Sequence, residues 1–125
     1  MKSIQPSEGQ EQSTLFSWAR MMTGKYPELW LLFHIPNGGS RGKAEAARFK
    51  AEGVKAGVPD LFLPVARGPY HGLFIEMKRE KGGRLSDDQK TWLALLTDEH
   101  YLAQVCHGWK EAAALIEDYL NERGV

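Results

Sequence analysis

The feature that most constrains the fold is a pair of apolar segments that each carry a charged residue where they could meet. They lie in the stretch GVPDLFLPVARGPYHGLFIEMK, whose LFLPV and GLFIEMK parts are separated by ARGPYH. Pro59 favours a strand that begins at Asp60, and the Gly-Pro pair is typical of a turn. A hairpin of this kind brings Asp60 beside Glu76 and Lys78.

Alternation along the second segment separates a polar face from an apolar face. Side chains two residues apart point to the same side of a strand, so Glu76 and Lys78 share one face. Leu73, Ile75 and Met77 share the other face, which fits a core. Crowding acidic groups is unfavourable unless a cation joins them, which predicts a hard metal site. A surface ion pair of little energetic value is the alternative interpretation of the E-x-K triplet.

Length and cysteine content limit the class of protein. A chain of 125 residues with 42% hydrophobic residues can form one domain with a true core, so we predict a flexible arm over residues 1–9 and a single domain over residues 10–125. Cys106 is the single cysteine, which excludes an internal disulfide. No apolar run has membrane length and no signal-peptide pattern is present, so we expect a cytoplasmic location and no membrane partner.

Charge is balanced overall but unevenly distributed. Residues 41–55 hold five basic and two acidic residues, and residues 78–84 hold four basic and one acidic residue. Residues 86–125 hold three basic and eight acidic residues. The positive segments therefore flank the proposed site, as expected for a protein that binds a polyanion, although a solvated surface is the alternative for each segment alone.

Hydrophobic periodicity predicts a mixed α/β fold. The first half is predicted to contain a helix from Gln10 or Glu11 to Gly24, a buried strand over residues 29–35, and a helix from Lys43 to Glu52. The hairpin follows, and the order of elements is helix, strand, helix, strand, strand, helix, strand, helix.

The second half adds a capped helix, a strand and a final helix. Ser86 and Gln89 form an S-x-x-Q capping box that predicts a helix start, with Gln89 in the first turn near the end of the Glu76 strand. A third hydrophobic strand is predicted over residues 101–106 and a last helix from Trp109 to Leu120. The four tryptophans are predicted to be core residues; they are Trp18, Trp30, Trp92 and Trp109.

Three motifs together resemble the PD-(D/E)XK nuclease superfamily. They are Asp60 after Pro59, the triplet from Glu76 to Lys78, and Gln89 within RLSDDQKTWL. More narrowly, the order HIPNGG, GVPDLFL, GLFIEMK, RLSDDQKTWL resembles the VRR-Nuc family, the virus-type replication and repair nucleases, over residues 11–120. The resemblance implies a restriction-endonuclease-like core, in which helices flank a mixed central sheet.

The resemblance also implies roles for individual residues. Asp60, Glu76 and the backbone carbonyl of Met77 would hold a divalent ion. Lys78 would orient or help to deprotonate the attacking water and would offset charge on the phosphate. Gln89 would position Lys78, the water or the scissile phosphate.

Family members carry a further glutamate on the first helix, pointing into the site. Glu11 is the matching candidate, and Glu8 is the alternative if the predicted helix start is wrong. Mg²⁺ or Mn²⁺ suits a ligand set made only of oxygens. Zinc is disfavoured because Cys106 and the four histidines show no ligand spacing.

A glycine-rich basic stretch, PNGGSRGK over residues 36–43, precedes the second predicted helix. Its backbone N–H groups and basic side chains could contact phosphates, with a plain loop as the alternative. His34 is either a DNA contact or a structural histidine. The residues predicted to contact DNA are His34, Asn37, Arg41, Lys43, Arg79 and Arg84.

These observations predict a metal-dependent endonuclease that cuts branched DNA. A bare nuclease domain gains substrate geometry most simply as a homodimer, because a Holliday junction has two symmetric cutting positions. Alternatives within the same chemistry are a flap, nicking or broad-specificity nuclease. Alternatives of another class are a non-catalytic DNA-binding module and a protein-interaction domain.

Overall fold

The computed structural model describes residues 4–36 and 42–125. The predicted order of elements is confirmed, with one short 3₁₀ helix added. The elements are α1 (Glu8–Met21), the 3₁₀ helix (Pro27–Leu31), β1 (Phe33–His34), α2 (Lys43–Ala51), β2 (Leu61–Leu63), β3 (Leu73–Lys78), α3 (Asp87–Asp98), β4 (Leu102–His107) and α4 (Trp109–Leu120). Within the described ranges, no helix is long and apolar enough to cross a membrane.

The four strands form one mixed sheet in the order β1-β2-β3-β4. β2 pairs with β1 and with β3 in antiparallel fashion, whereas β3 and β4 are parallel. Leu61 faces Ile75 and Leu63 faces Leu73, so the predicted hairpin is confirmed. A parallel pair needs a crossover connection, and α3 provides it between β3 and β4.

The hydrophobic core lies on one face of the sheet, under α1 and α4. β3 directs Leu73, Ile75 and Met77 to this face, and each is almost completely buried. The apolar side chains that they meet come mainly from one stripe of each helix, as expected for amphipathic helices. The main contributors are Leu15 and Ala19 of α1 and Ala112, Ala113, Ile116 and Tyr119 of α4.

The opposite face of the sheet is aromatic and only partly covered. Phe62 of β2 stacks on Phe74 of β3 with ring centroids 4.1 Å apart, and Phe33 and Tyr101 contact these rings edge-on. α3 contacts β4 on this side, but none of its residues is fully buried. The face therefore stays accessible next to the charged end of β3.

The strand predicted over residues 29–35 is wrong for most of its length. Pro27 opens a 3₁₀ helix that runs to Leu31, and only Phe33 and His34 are extended. Trp30, predicted to be a core residue, is 80% exposed. A short apolar run does not distinguish a strand from a helical turn, and here the proline at the first turn favoured the helical turn. The other three tryptophans are half-buried.

The first helix begins earlier than the predicted Gln10 or Glu11. Ser7 caps it through a capping box with Gln10, so Glu8 is the first helical residue. Gln5, within the predicted N-terminal arm, exchanges two hydrogen bonds with the backbone of Lys81. The N-terminal segment is therefore held against the loop that follows β3.

Candidate active site

Three charged side chains are buried among the described residues: Glu11, Glu76 and Lys78. Glu76 and Lys78 lie on β3 and share the face opposite Ile75 and Met77, as the alternation predicts. Burial of charged groups is unfavourable unless hydrogen bonds or counter-charges compensate for the lost hydration. The surroundings of these residues therefore indicate what the end of β3 is built to do.

Asp60 meets Glu76 because the β2–β3 register places them across from each other. Leu61 pairs with Ile75, so the residue before Leu61 adjoins the residue after Ile75. Asp60 Oδ2 accepts a hydrogen bond of 2.7 Å from the backbone N–H of Met77, which fixes the carboxylate at the end of the hairpin. The predicted proximity of Asp60 to Glu76 and Lys78 is thus present in the structure.

The surroundings of Glu76 favour the protonated form of its carboxyl group. Burial first, then the charge of Asp60 and a hydrogen bond between the two side chains, together raise the pKa of Glu76 from 4.5 to about 8. The Lys78 ammonium opposes this rise in pKa but does not cancel it. A carboxyl with a raised pKa beside a second carboxyl is a place where a cation can replace the proton.

Gln89 connects the lysine to the glutamate. Its Oε1 accepts a hydrogen bond of 3.3 Å from Lys78 Nζ, and its Nε2 donates one of 3.1 Å to Glu76 Oε2. Lys78 Nζ also lies 3.8 Å from Glu76 Oε2. Both ends of the amide are therefore engaged, which holds the two charged groups in fixed positions.

A capping box determines the orientation of the Gln89 amide. Gln89 Oε1 accepts from the backbone N–H of Ser86 at 2.9 Å, while the Ser86 hydroxyl accepts from the backbone N–H of Gln89. Only the amide oxygen can accept from that N–H, so the amide nitrogen must face Glu76. The predicted capping box is confirmed, and its glutamine also belongs to the site.

A glycine pair lies over the stem of Lys78. Gly82 and Gly83 both have φ of +79°, a left-handed conformation that side chains rarely adopt. A Cβ atom on Gly83 would lie 3.3 Å from Lys78 Cδ. Arg79 and Arg84, two predicted DNA contacts, flank this pair and are exposed. The loop therefore covers the lysine stem while presenting two guanidinium groups to solvent.

The two candidate glutamates on α1 have different surroundings. Glu11 Oε1 accepts a hydrogen bond of 3.0 Å from the backbone N–H of Trp109, at the start of α4. A carboxylate at a helix N-terminus compensates unpaired N–H groups and the helix dipole. Glu8 instead stands close enough to Glu76 for its charge to raise the Glu76 pKa. The geometry thus gives Glu11 a structural contact and brings Glu8 towards the carboxyl pair.

The remaining predicted DNA contacts are His34, Lys43, Asn37 and Arg41. His34 Nδ1 lies 2.9 Å from the backbone carbonyl of Asp60, which ties β1 to the site. Lys43 begins α2 and is exposed. Asn37 and Arg41 lie outside the described residues.

Sequence reasoning assigned no role to His107. It pairs with Lys78 across the parallel β3–β4 ladder, and its Nδ1 lies 3.0 Å from the Arg79 carbonyl. His107 and Arg79 are 28 positions apart in the sequence and meet because β3 and β4 are parallel, so no local pattern predicts their contact. The contact between Glu11 and Trp109 spans 98 positions and is equally invisible in the sequence.

The donor set suits a hard divalent ion. Within residues 4–36 and 42–125, no group of three or more His, Cys, Asp or Glu side chains is arranged to hold a metal ion together. Mg²⁺ requires fewer, since one or two carboxylates with waters and substrate oxygens complete its shell. The raised pKa of Glu76 beside Asp60 marks where positive charge is favoured. These two residues therefore fit the ion that the resemblance implies.

The fold and this site define a class of protein. A mixed sheet that joins Asp60 of one strand to the Glu76-x-Lys78 of the next, between helices, is the core of a PD-(D/E)XK nuclease. The VRR-NUC domain model matches residues 7–110, and the chain belongs to that family.

A solved structure described as a VRR_NUC domain protein is similar to this chain. It is 33% identical with a TM-score of 0.82, and the match covers 94% of this chain and 91% of the other. No curated protein matches the chain. The predicted family and fold class are confirmed, and membership implies a nuclease of the PD-(D/E)XK type.

Proposed function

We propose that the protein is a divalent-metal-dependent DNA endonuclease that cuts branched DNA, and that it acts as a homodimeric Holliday-junction resolvase. The observation that carries the nuclease chemistry is the buried Glu76, whose pKa is raised beside the half-exposed Asp60 and next to a lysine held by Gln89. A surface ion pair would not be buried or oriented in this way. The cytoplasmic location remains a prediction.

The proposed ligands of the ion, Mg²⁺ or Mn²⁺, are the Asp60 and Glu76 carboxylates and the Met77 backbone carbonyl. Glu8 joins them from the first turn of α1, in place of Glu11, because its charge reaches Glu76. When bound, the ion would lower the pKa of water and stabilise negative charge on the phosphate.

Lys78 and Gln89 act on the water and phosphate beside this position. Lys78 Nζ orients the attacking water and offsets charge on the scissile phosphate. Gln89 prevents Lys78 from turning fully onto Glu76, because Oε1 attracts the ammonium while Nε2 occupies the carboxylate. The half-exposed Asp60 and the exposed Arg79 leave an approach for a DNA strand.

The dimer is supported by exposed apolar residues on the 3₁₀ helix and β1. Trp30 is 80% exposed, Leu31 is 50% exposed and Phe33 is 47% exposed. Large apolar side chains grouped at a surface are typical of protein interfaces. A second copy bound there would give a junction the two related sites that symmetric cutting requires.

The test is cleavage of end-labelled four-way junction, flap, nicked and linear duplex DNA with Mg²⁺, Mn²⁺ or EDTA. Paired symmetric cuts in the junction alone, lost with EDTA, support the resolvase. Cutting of flaps or linear DNA retains the nuclease and rejects the resolvase. Absence of metal-dependent cutting on every substrate rejects the nuclease and favours a DNA-binding module.

Substitution of the lysine tests the mechanism directly. Lys78→Ala should abolish cleavage while leaving the fold intact, because Gln89 still donates to Glu76 in the absence of the lysine. Lys25→Ala is the matched control, because Lys25 is exposed beside Tyr26 at the end of the molecule where α4 finishes. A fully active Lys78→Ala protein would contradict the proposed mechanism.

A further inference from the structure

Helix α2 stands apart from the core. None of its nine residues from Lys43 to Ala51 is buried, whereas α1 and α4 each bury one stripe of side chains. Most helical stability in proteins comes from packing of an apolar face, and short isolated helices are marginal in water. A helix that contributes so little to the core needs another explanation for its composition.

The two sides of α2 differ in chemistry. Glu45 and Phe49 are one turn apart and half-buried, so they mark the side that faces the protein. Lys43, Ala47 and Lys50 have the spacing i, i+4, i+7, and all three are exposed on the opposite side. The outward face therefore carries two lysines that are separated by small side chains.

These lysines have no counter-charge in the part of the chain that the structure describes. Among the described residues, neither Lys43 nor Lys50 takes part in an ion pair of the kind that joins Arg67 to Glu28, Lys78 to Glu76 and Arg123 to Asp118. Seven residues of helix span about 10 Å, so Lys43 and Lys50 form a short positive ridge. The short side chain of Ala47 leaves open space between the two lysines, so a polyanion can approach both ammonium groups.

The segments on both sides of α2 are attached beside the active site. Before it, His34 of β1 contacts the carbonyl of Asp60. After it, the Ala56 carbonyl accepts a hydrogen bond from Trp92 Nε1, and Gly57 contacts the backbone of Asp88 so closely that a Cβ atom would lie 2.6 Å away. α2 is thus anchored next to the strand end that carries Asp60 and the helix that carries Gln89.

We propose that the outward face of α2, formed by Lys43, Ala47 and Lys50, binds the sugar-phosphate backbone of a double-stranded arm of the DNA substrate. This inference rests on the proposed function. Duplex DNA carries about one charge per 1.7 Å of axis, so a ridge of two lysines meets phosphates in any register. The contact holds the arm beside the site and reads no base sequence.

The experiment measures binding of a fluorescent duplex and a four-way junction by anisotropy at several KCl concentrations. Lys78→Ala protein serves as parent, so that no DNA is cut. Adding Lys43→Gln and Lys50→Gln should raise Kd about tenfold near 0.1 M salt and lower the slope of log Kd against log salt by up to about 2. Lys50→Gln alone should give roughly half of that change in slope.

Two controls separate the effect of this face of α2 on DNA binding from the effects of overall charge and of helix stability. Lys25→Gln with Arg123→Gln removes the same charge where α4 ends, and it should leave Kd nearly unchanged. Ala47→Glu places a negative charge between the lysines with a strong helix former, so it should weaken binding while circular dichroism shows no loss of helix. Ala47→Gln is its neutral partner and should bind like the parent.

The outcomes separate this inference from the proposed function. An unchanged Kd and salt slope in the Lys43 and Lys50 variants, together with metal-dependent cleavage by the native protein, would overturn the role of α2 and leave the nuclease standing. Loss of dimer without loss of DNA affinity would show a protein interface and would also overturn it. A parent protein that binds no DNA would reject both.

Discussion

Gln89 shows how one side chain serves both the fold and the site. Its oxygen completes the cap of α3 and holds Lys78, while its nitrogen holds Glu76. The sequence reveals the capping role because S-x-x-Q is a local pattern. The double contact follows from where α3 begins relative to β3, which no local pattern specifies.

Gln89→Glu separates these two roles. Glutamate also completes a capping box, so the midpoint of thermal unfolding should change little. A carboxylate beside Glu76 cannot donate to it and repels it, so cleavage should fall about 100-fold as Lys78 loses its position. The control is Gln10→Glu, in the equivalent capping box with Ser7 on α1. Equal loss of cleavage in both variants would contradict a special role for Gln89.

Glu8 and Glu11 are three residues apart, and the structure predicts opposite phenotypes for them. Glu11→Ala leaves the N–H of Trp109 without its acceptor and should lower the free energy of unfolding by about 2 kcal/mol. Glu8→Ala should change this free energy by less than about 0.5 kcal/mol and strongly reduce cleavage. Chemical denaturation and the junction assay measure the two effects. The reversed pattern would make Glu11 the metal ligand.

At the level of elements, the hairpin was predicted correctly, whereas most of the strand predicted over residues 29–35 is absent. The hairpin has alternating faces, a starting proline and a turn signal, all of which act within about 20 residues. The LWLLFHI run has none of these signals, and the neighbouring Pro27 favoured a 3₁₀ helix. The contacts of residues whose neighbours are close in sequence could thus be predicted. The contacts of His107 and Glu11 join distant parts of the sequence and could not be predicted.

The loop after β3 offers a matched pair of glycines. Gly82→Ala and Gly83→Ala place a side chain at the same φ of +79°, so each should cost about 1–2 kcal/mol of stability. At Gly83 the new Cβ presses on the Lys78 stem, whereas at Gly82 it meets the end of the flexible Arg79 side chain at 3.5 Å. Gly83→Ala should therefore reduce cleavage more, and equal activities would show that the loop does not restrain Lys78.

For the whole molecule, the site is built at the expense of stability. The core on the α1 and α4 side of the sheet is complete, but the other side buries Glu76 and Lys78 beside the half-exposed Asp60. Charge is also segregated, with basic residues around this end and acidic residues in the last third of the chain. A bound cation would compensate the carboxyl groups of the site, and a bound polyanion would compensate the basic residues around it. Both ligands should therefore stabilise the folded state.

The raised pKa of Glu76 makes this trade-off depend on pH. With 4.5 as the unfolded pKa and about 8 as the folded pKa, the folded state holds the extra proton between these values. This group therefore makes the metal-free protein less stable as pH rises from about 4.5 to 8. A divalent ion competes with that proton, so Mn²⁺ should raise the midpoint of thermal unfolding more at pH 8 than at pH 6.

Glu76→Gln is the decisive control, because an amide mimics the protonated carboxyl and can still donate to Asp60. The variant should lose the decline in stability between pH 4.5 and 8 that this group causes, and it should lose most of the response to Mn²⁺. At pH 8 without metal it should unfold at a higher temperature than the native protein, while cutting no DNA. A native protein that is equally stable at pH 8, with an unchanged Mn²⁺ response in the variant, would mean that the pKa of Glu76 is not raised and that Asp60 and Glu76 hold no metal.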